Sequence, residues 1–283
     1  MGVMDLRVHD DPDEFEALAG PLYSADPVTH TLPITVLAGY LHNPAIEPVM
    51  LTVHRAGELY GAVFRTPPWP FVVSALPADA VPAAAEILAG LDPHAPGVSG
   101  PRALAEVFAR AWAAHTGSGV HEAMAMRMYE LGELRAPVVS GSSRPATLDD
   151  LPLMLSWRRA FQREAMGHER ASDRADQILR QAMERGDRQE LWADGNEIVS
   201  WAHASVPNVR MSRVGPVYTP PALRGRGYGS AVTAAVSRWA RDAGADHVLL
   251  FTDLANATSN SIYQKLGYRP VHDTCELEFT PAP

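Results

Sequence analysis

Cysteine and lysine are nearly absent from this chain. Cys275 is the single cysteine, so no internal disulfide can form, and Lys265 is the single lysine among the 24 basic residues. No segment approaches the roughly 18 uninterrupted apolar residues that a membrane span needs. The N-terminus, MGVMDLRVHDDPDEF, is acidic and lacks the basic-then-apolar order of a secretory signal. A cytoplasmic protein with no membrane partner is the expectation. Scarce lysine beside abundant Ala, Pro and Arg reads as the coding bias of a GC-rich bacterial genome. The net charge of −9 and pI near 5.6 exclude the positive field that nonspecific nucleic-acid binding requires. Nothing in the composition fixes an oligomeric state.

One further absence is local. From Ile198 to Arg241 there is no Asp or Glu, yet Arg210, Arg213, Arg224, Arg226, Arg238 and Arg241 all fall there. In an acidic protein such a stretch is either a solvated basic face or a place for an anionic ligand.

What is present is ordinary globular material, 46% hydrophobic and 20% charged, in a chain of 283 residues that is long enough for two domains. The segment 136–145, APVVSGSSRP, reads as a linker, which sets domains at 1–135 and 146–283. After it, Thr147 and Asp150 give an S/T-x-x-D helix start, and a second helix is expected near 172–185. Three runs with β patterning follow, at 190–193, 197–205 and 209–218, and read as an antiparallel meander. A glycine-rich stretch then leads into a helix at 230–243, a buried strand at 247–252, a helix at 259–266 and a strand at 275–279. The first half repeats this order loosely: helices before Asn43, a hairpin at 49–54 and 59–65, a strand at 71–74, helices at 80–91 and 102–115, and a strand at 122–131. Its counterpart of the glycine stretch, ALPADAVPAAAE, contains no glycine. One architecture used twice, with the N-terminal copy degenerate, is the expectation.

The glycine stretch carries the chemistry. Val217 to Ser230 reads V-Y-T-P-P-A-L-R-G-R-G-Y-G-S between a strand and a helix. Glycines at 225, 227 and 229 allow a tight turn with N–H groups converging, and the next helix adds its positive end, a geometry suited to a pyrophosphate. Arg224 and Arg226 can add charge-assisted contacts. A P-loop would need Lys and then Ser or Thr after the last glycine, where Ser230-Ala231 stand. A dinucleotide fingerprint would need G-x-G-x-x-G inside a parallel β-α-β unit.

The form R-x-x-G-x-G, from Arg224 to Gly229, resembles the pyrophosphate loop of the GNAT superfamily of CoA-dependent N-acyltransferases. About 30 residues on, F-T-D-L-A-N-A-T-S-N-S-I-Y-Q-K-L-G-Y matches that superfamily's second motif, an Asn followed seven residues later by Tyr-x-Lys-Leu-Gly-Phe/Tyr. The resemblance covers about 143–279. It implies two tandem α+β domains, each a mixed, mostly antiparallel sheet flanked by helices, with acetyl-CoA or a related acyl-CoA as cosubstrate. It implies that Val217, Tyr218 and Thr219 offer backbone groups to the pantetheine arm and thioester. Gly225, Gly227, Tyr228, Gly229 and Ser230 would hold the pyrophosphate with Arg224 and Arg226. Asn256 would contact the pantetheine or nearby backbone, and Tyr263 would lie near the sulfur. A tyrosine of pKa about 10 facing a thiol of about 8.5 is a reasonable proton donor; an aromatic anchor for the last helix is the other role open to Tyr263.

The pattern departs from the superfamily at the general base. Some members place a Glu five residues before the Asn, where this chain has Phe251. Asp253, His203, Glu164, His168, Glu169 or a water chain are the substitutes. The eleven histidines show no metal-ligand spacing, so no metal is expected. Cys275 lacks a recognisable His and Asn arrangement for a nucleophile. The function implied is acyl transfer to an amine of a small or medium soluble acceptor, received near the 161–174 helix junction. A CoA-binding scaffold without turnover is an alternative, as is an aminoacyl-tRNA-dependent transferase, which the acidic balance disfavours.

Overall fold

The computed structural model describes residues 4–41, 46–166 and 175–281. In chain order the regular elements are β1 (Met4–His9), α1 (Pro12–Ser24), α2 (Thr31–Val36), β2 (Val49–Arg55), β3 (Glu58–Arg65), β4 (Phe71–Ala75), α3 (Val81–Leu91), β5 (Gly97–Pro101), α4 (Arg102–Thr116) and β6 (Gly119–Leu131). They continue with β7 (Ser142–Pro145), α5 (Leu151–Met166), α6 (Ala175–Glu184), β8 (Arg188–Asp194), β9 (Glu197–Ala204), β10 (Met211–Tyr218), α7 (Tyr228–Asp242), β11 (His247–Asp253), α8 (Ala257–Lys265) and β12 (Tyr268–Thr280). The fold is mixed α and β with mostly antiparallel strand pairing, as the sequence implied. No helix among the described residues is long and apolar enough to cross a membrane.

Two compact units result, 1–128 with 253–255 and 271–283, and 129–252 with 256–270. They differ from a division at 136–145 for a physical reason. Tyr129 and Leu131 pack in the core of the second unit, and Cys275 and Leu277 pack in the core of the first. The second half of the expected linker is strand: Ser142–Pro145 pairs with β8, Ser142 opposite Ala193 and Pro145 opposite Glu190.

In the first unit the antiparallel set β1, β2, β3 and β4 is followed by a parallel β4–β5 pair and by β12 antiparallel to β5. Ala56 and Gly57 both have positive φ, the two-residue turn whose twist matches a hairpin. Strand β2 is buried on both faces. Leu51 and Val53 join the α3–α4 core, while Met50 pairs with Phe64 and that ring meets Phe15 and Tyr23 of α1. Strand β5 has no sequence signal, because GVSGP carries one β-former between glycines. The glycines are steric necessities: a Cβ on Gly97 would lie 2.1 Å from the Leu277 carbonyl oxygen, and one on Gly100 2.9 Å from Val73 Cγ2.

In the second unit β7, β8, β9 and β10 are antiparallel neighbours, and β11 runs parallel to β10. Val232, Val236 and Ala240 of α7 fill one face with Val248 and Leu250 of β11, and Leu151, Met154 and Trp157 of α5 cover the other with Leu191 and Trp201. The expected helix start is present as a capping box. Thr147 N–H donates to Asp150 at 2.8 Å, and Arg144 grips the same carboxylate at 2.7 and 2.8 Å, holding it down to about 2.

Cys275 lies opposite Gly100 in the β5–β12 pair, fully buried, and burial pushes its thiol up to about 11. A buried, protonated thiol does not react. We therefore expect no labelling of the native protein by a thiol reagent near neutral pH and complete labelling after denaturation. Prompt native labelling would contradict this placement of β12.

Candidate active site

The second unit's sheet has a gap in its pairing. Strand β10 pairs in parallel with β11 from Met211 opposite His247 to Val214 opposite Leu250, and the ladder stops there although β10 runs on to Tyr218. On its other edge, β10 pairs with β9 through an irregularity between Val214 and Val217 that contains Gly215 at φ 138°. An extra residue on one strand bends it. Beyond Val214, then, the backbone of Val217 and Tyr218 has no ladder with β11, and an extended ligand could pair there. Ser200 fixes this end: its hydroxyl donates to the Tyr218 carbonyl at 3.0 Å, so at 2.8 Å the Thr219 hydroxyl donates to Ser200 Oγ.

The glycine loop follows directly. Gly225 and Gly227 have φ of 78° and 85°, where a side chain is strained, and a Cβ on Gly227 would lie 2.9 Å from Val139 Cγ2. Gly227 also heads α7, and the first helical bond runs from Ala231 N–H to its carbonyl at 3.0 Å. The N–H groups of Tyr228, Gly229 and Ser230 therefore precede the helical ladder, at the positive end of a helix. Such a helix start suits a phosphate-type anion.

The arginines diverge in space. Arg210 pairs with Asp246 through two contacts, one at 2.6 Å, and Arg241 donates to the carbonyls of Leu131 and Gly132 at 2.7 and 2.9 Å. Arg224 is held by Glu164 at 2.5 Å and by the Thr219 carbonyl at 2.9 Å. Arg226 stands exposed in the loop. The acid-free stretch is thus not one basic face.

Glu164 also accepts from the Tyr218 hydroxyl at 3.1 Å, which places one of the candidate bases beside the open end of β10. Burial and the neighbouring Glu164 raise the Tyr218 hydroxyl's pKa, so it remains a donor. His203 lies against β10 as well, but its Nδ1 faces the Gly215 carbonyl at 2.8 Å and its Nε2 the Asp187 carboxylate at 3.4 Å. A carbonyl and a carboxylate both want a proton from the ring, a poor arrangement for a base. Burial opposes ionisation of Asp187, yet the hydrogen bonds from His203 and from Val206 N–H keep it below the usual range. Asp253 ends β11 and accepts from Ala255 N–H at 2.8 Å. His168 and Glu169, with the rest of 167–174, lie outside the described residues.

Asn256 caps α8: its Oδ1 accepts from Ser259 N–H at 3.0 Å, and its carbonyl accepts from Asn260 Nδ2 at 2.8 Å. Asn260 Oδ1 in turn accepts from the Tyr129 hydroxyl at 2.9 Å, a network with no sequence signal because its members are 131 positions apart. Its side-chain amide hydrogens are not used in this cap. Tyr263 and Val217 pack against the same core cluster, and Tyr263 meets Tyr268 edge-on at 6.0 Å. Its hydroxyl has no hydrogen-bond partner among the described residues, and burial pushes it up to about 12.

The first unit's counterpart differs. There β4, the first strand of the parallel pair β4–β5, is followed by Leu76 to Ala80, and α3 opens with Val81 and Pro82, a residue without an N–H. Asp79 there is paired with Arg55. This helix start therefore has neither the glycines of its counterpart nor an N–H at Pro82.

A parallel strand pair that parts beside a glycine-rich helix start is the arrangement in which the two sequence motifs lie. Residues 153–268, less than half of the chain, match the model of the Acetyltransferase (GNAT) family. The family's chemistry is acyl transfer from acyl-CoA. Solved structures share the fold across the whole chain. An acetyltransferase from the GNAT family from Colwellia psychrerythraea is 11% identical, with a TM-score of 0.62 over 98% of this chain and 100% of its own. A tandem GNAT protein from the clavulanic acid biosynthesis pathway is 14% identical, with a TM-score of 0.62 over 99% of each chain. A GCN5-related N-acetyltransferase from Sphaerobacter thermophilus is 16% identical, with a TM-score of 0.61 over 98% of this chain and 95% of its own. No curated protein matches the chain.

The cap role of Asn256 predicts its own phenotype. Asn256→Ala should cost about 1 kcal/mol of stability in ligand-free denaturant unfolding, and Asn256→Asp should recover most of it. Unchanged stability in the alanine variant would remove the cap as the reason for this residue.

Proposed function

We propose that the chain transfers an acetyl or other short acyl group from acyl-CoA to an amine of a small or medium soluble acceptor by direct attack, with no covalent enzyme intermediate. The observation that carries this reading is the parting of β10 from β11 after Val214 and Leu250, immediately before the glycine loop. The pyrophosphate would rest on the N–H groups of Gly225 to Ser230, and the pantetheine arm would run along Val217 to Thr219 as an added strand. An amine attacking the thioester builds negative charge on the carbonyl oxygen, and a fixed N–H on that free edge can stabilise it. Glu164, exposed beside Tyr218, would draw in a cationic amine, and either Glu164 or water would take its proton.

Tyr263 is assigned the leaving sulfur. A hydroxyl of about 12 stays protonated throughout the working range. Outright transfer to a thiolate of about 8.5 is uphill, so the proton must move as the carbon–sulfur bond breaks. Tyr263→Phe should lower turnover roughly 10²-fold while acetyl-CoA affinity changes by no more than a few fold. The test is coenzyme release with a panel of small amines. An absence of turnover with every amine would favour the binding-only reading, and unchanged turnover in the phenylalanine variant would assign the proton to another group.

The raised value also fixes a pH dependence. Tyr263 is active when protonated, so its contribution is complete well below about 12 and is lost as pH rises through that value. Turnover should therefore show no Tyr263-dependent decline up to about pH 10. An alkaline limb below that pH which disappears in Tyr263→Phe would contradict the assignment.

A further inference from the structure

Tyr228 stands between two glycines of the loop and is 5% exposed. Its hydroxyl donates to Oδ2 of Asp194, the last residue of β8. The Ser140 hydroxyl donates to the same oxygen at 2.9 Å, and the Ser140 carbonyl accepts from Trp192 Nε1 at 2.9 Å. Gly141, at φ 95°, lies so close to β8 that a Cβ there would fall 2.1 Å from the Ala193 carbonyl oxygen, and Val139 sits against Gly227. The segment before β7, the β8–β9 hairpin end and the start of α7 thus meet at one carboxylate oxygen.

Charge alone does not explain Asp194. A carboxylate beside a loop read as an anion site, and near Arg226, weakens that site's field. Its two hydroxyl donors hold its pKa below the usual range, Tyr228 first and Ser140 second, so it is a charged acceptor at neutral pH. The loop's difficulty is conformational. Three glycines in six residues give it freedom that ligand binding would have to remove. Tyr228 is the loop side chain fastened to the sheet.

We infer that Asp194 and Ser140 are positioning residues, which hold the glycine loop in its ligand-binding shape by fixing Tyr228. The inference rests on the acyl-CoA reading of the loop. It assigns the segment before β7, read from sequence as a linker, a part in cosubstrate binding. A preorganised loop binds more tightly because less freedom is lost on binding.

The test separates position from charge. Asp194→Ala removes the acceptor and the charge, whereas Asp194→Asn removes the charge and keeps one oxygen able to accept both hydroxyls. We expect Asp194→Ala to weaken acetyl-CoA binding roughly 10-fold and to raise its KM with kcat at saturation nearly unchanged, the signature of lost preorganisation. Asp194→Asn should bind as well as wild type or better. Both variants should use a short thioester donor that lacks the nucleotide as wild type does, since that donor does not reach the loop. Should Asp194→Ala unfold the unit, Tyr228→Phe, which keeps the ring and removes the donor, must show the same KM effect. Unchanged CoA affinity in the alanine variant, equal losses in the alanine and asparagine variants, or an equal loss with the short donor would each overturn the inference. Failure of the wild-type chain to bind CoA is a different result, and would overturn the reading of the loop.

Discussion

Strand β10 can keep both of its neighbours only as far as Val214. Beyond that point the irregularity opposite β9, with Gly215 at φ 138°, turns the strand, and the parallel ladder to β11 ends at Leu250. Backbone donors and acceptors left out of a sheet must find partners, so the free edge at Val217 and Tyr218 is a demand as well as an opening. The other features of the site answer to that edge. Ser200 ties down its carbonyl end, Glu164 and Arg224 cover Tyr218, and the glycine loop begins where the strand stops.

The loop was legible because its chemistry needs unusual residues. Glycines at positive φ cannot be exchanged freely for other types, and they stand at 225 and 227 in the sequence as in the structure. The strand and helix on either side are legible from their periodicity, and the start of α5 from the Thr147–Asp150 capping motif. What could not be read was pairing at a distance. Six arginines in an acid-free stretch read as a solvated basic face or a place for an anionic ligand, yet Asp246 claims Arg210, two carbonyls claim Arg241, and Glu164 claims Arg224. Asn256 was singled out for a ligand, but its oxygen is needed first by the helix it caps.

The division of the chain shows the same limit. A cluster of Gly, Ser and Pro at 136–145 looks like a boundary, and local composition says nothing of where a later strand will return. Strand β12 returns from the far end of the chain to pair with β5, because Gly97 lets its Leu277 carbonyl approach closely, and the pairing buries Cys275 and Leu277. A cut placed by composition would remove Tyr129 and Leu131 from one core and strand the partner of β5 from the other.

If the parting strands and the glycine loop together grip an acyl-CoA, the second unit alone has that equipment, since the first opens its α3 with Pro82 and pairs Asp79 with Arg55. Calorimetric titration with acetyl-CoA, on the wild-type chain and on Gly227→Glu, addresses this most directly. A side chain at Gly227 meets Val139 and a φ of 85°, and the added carboxylate would repel a phosphate. The account predicts one molecule bound per chain in the wild type and none in the variant, with the variant still folded. Two equivalent sites per chain, or binding that Gly227→Glu leaves unchanged, would contradict it.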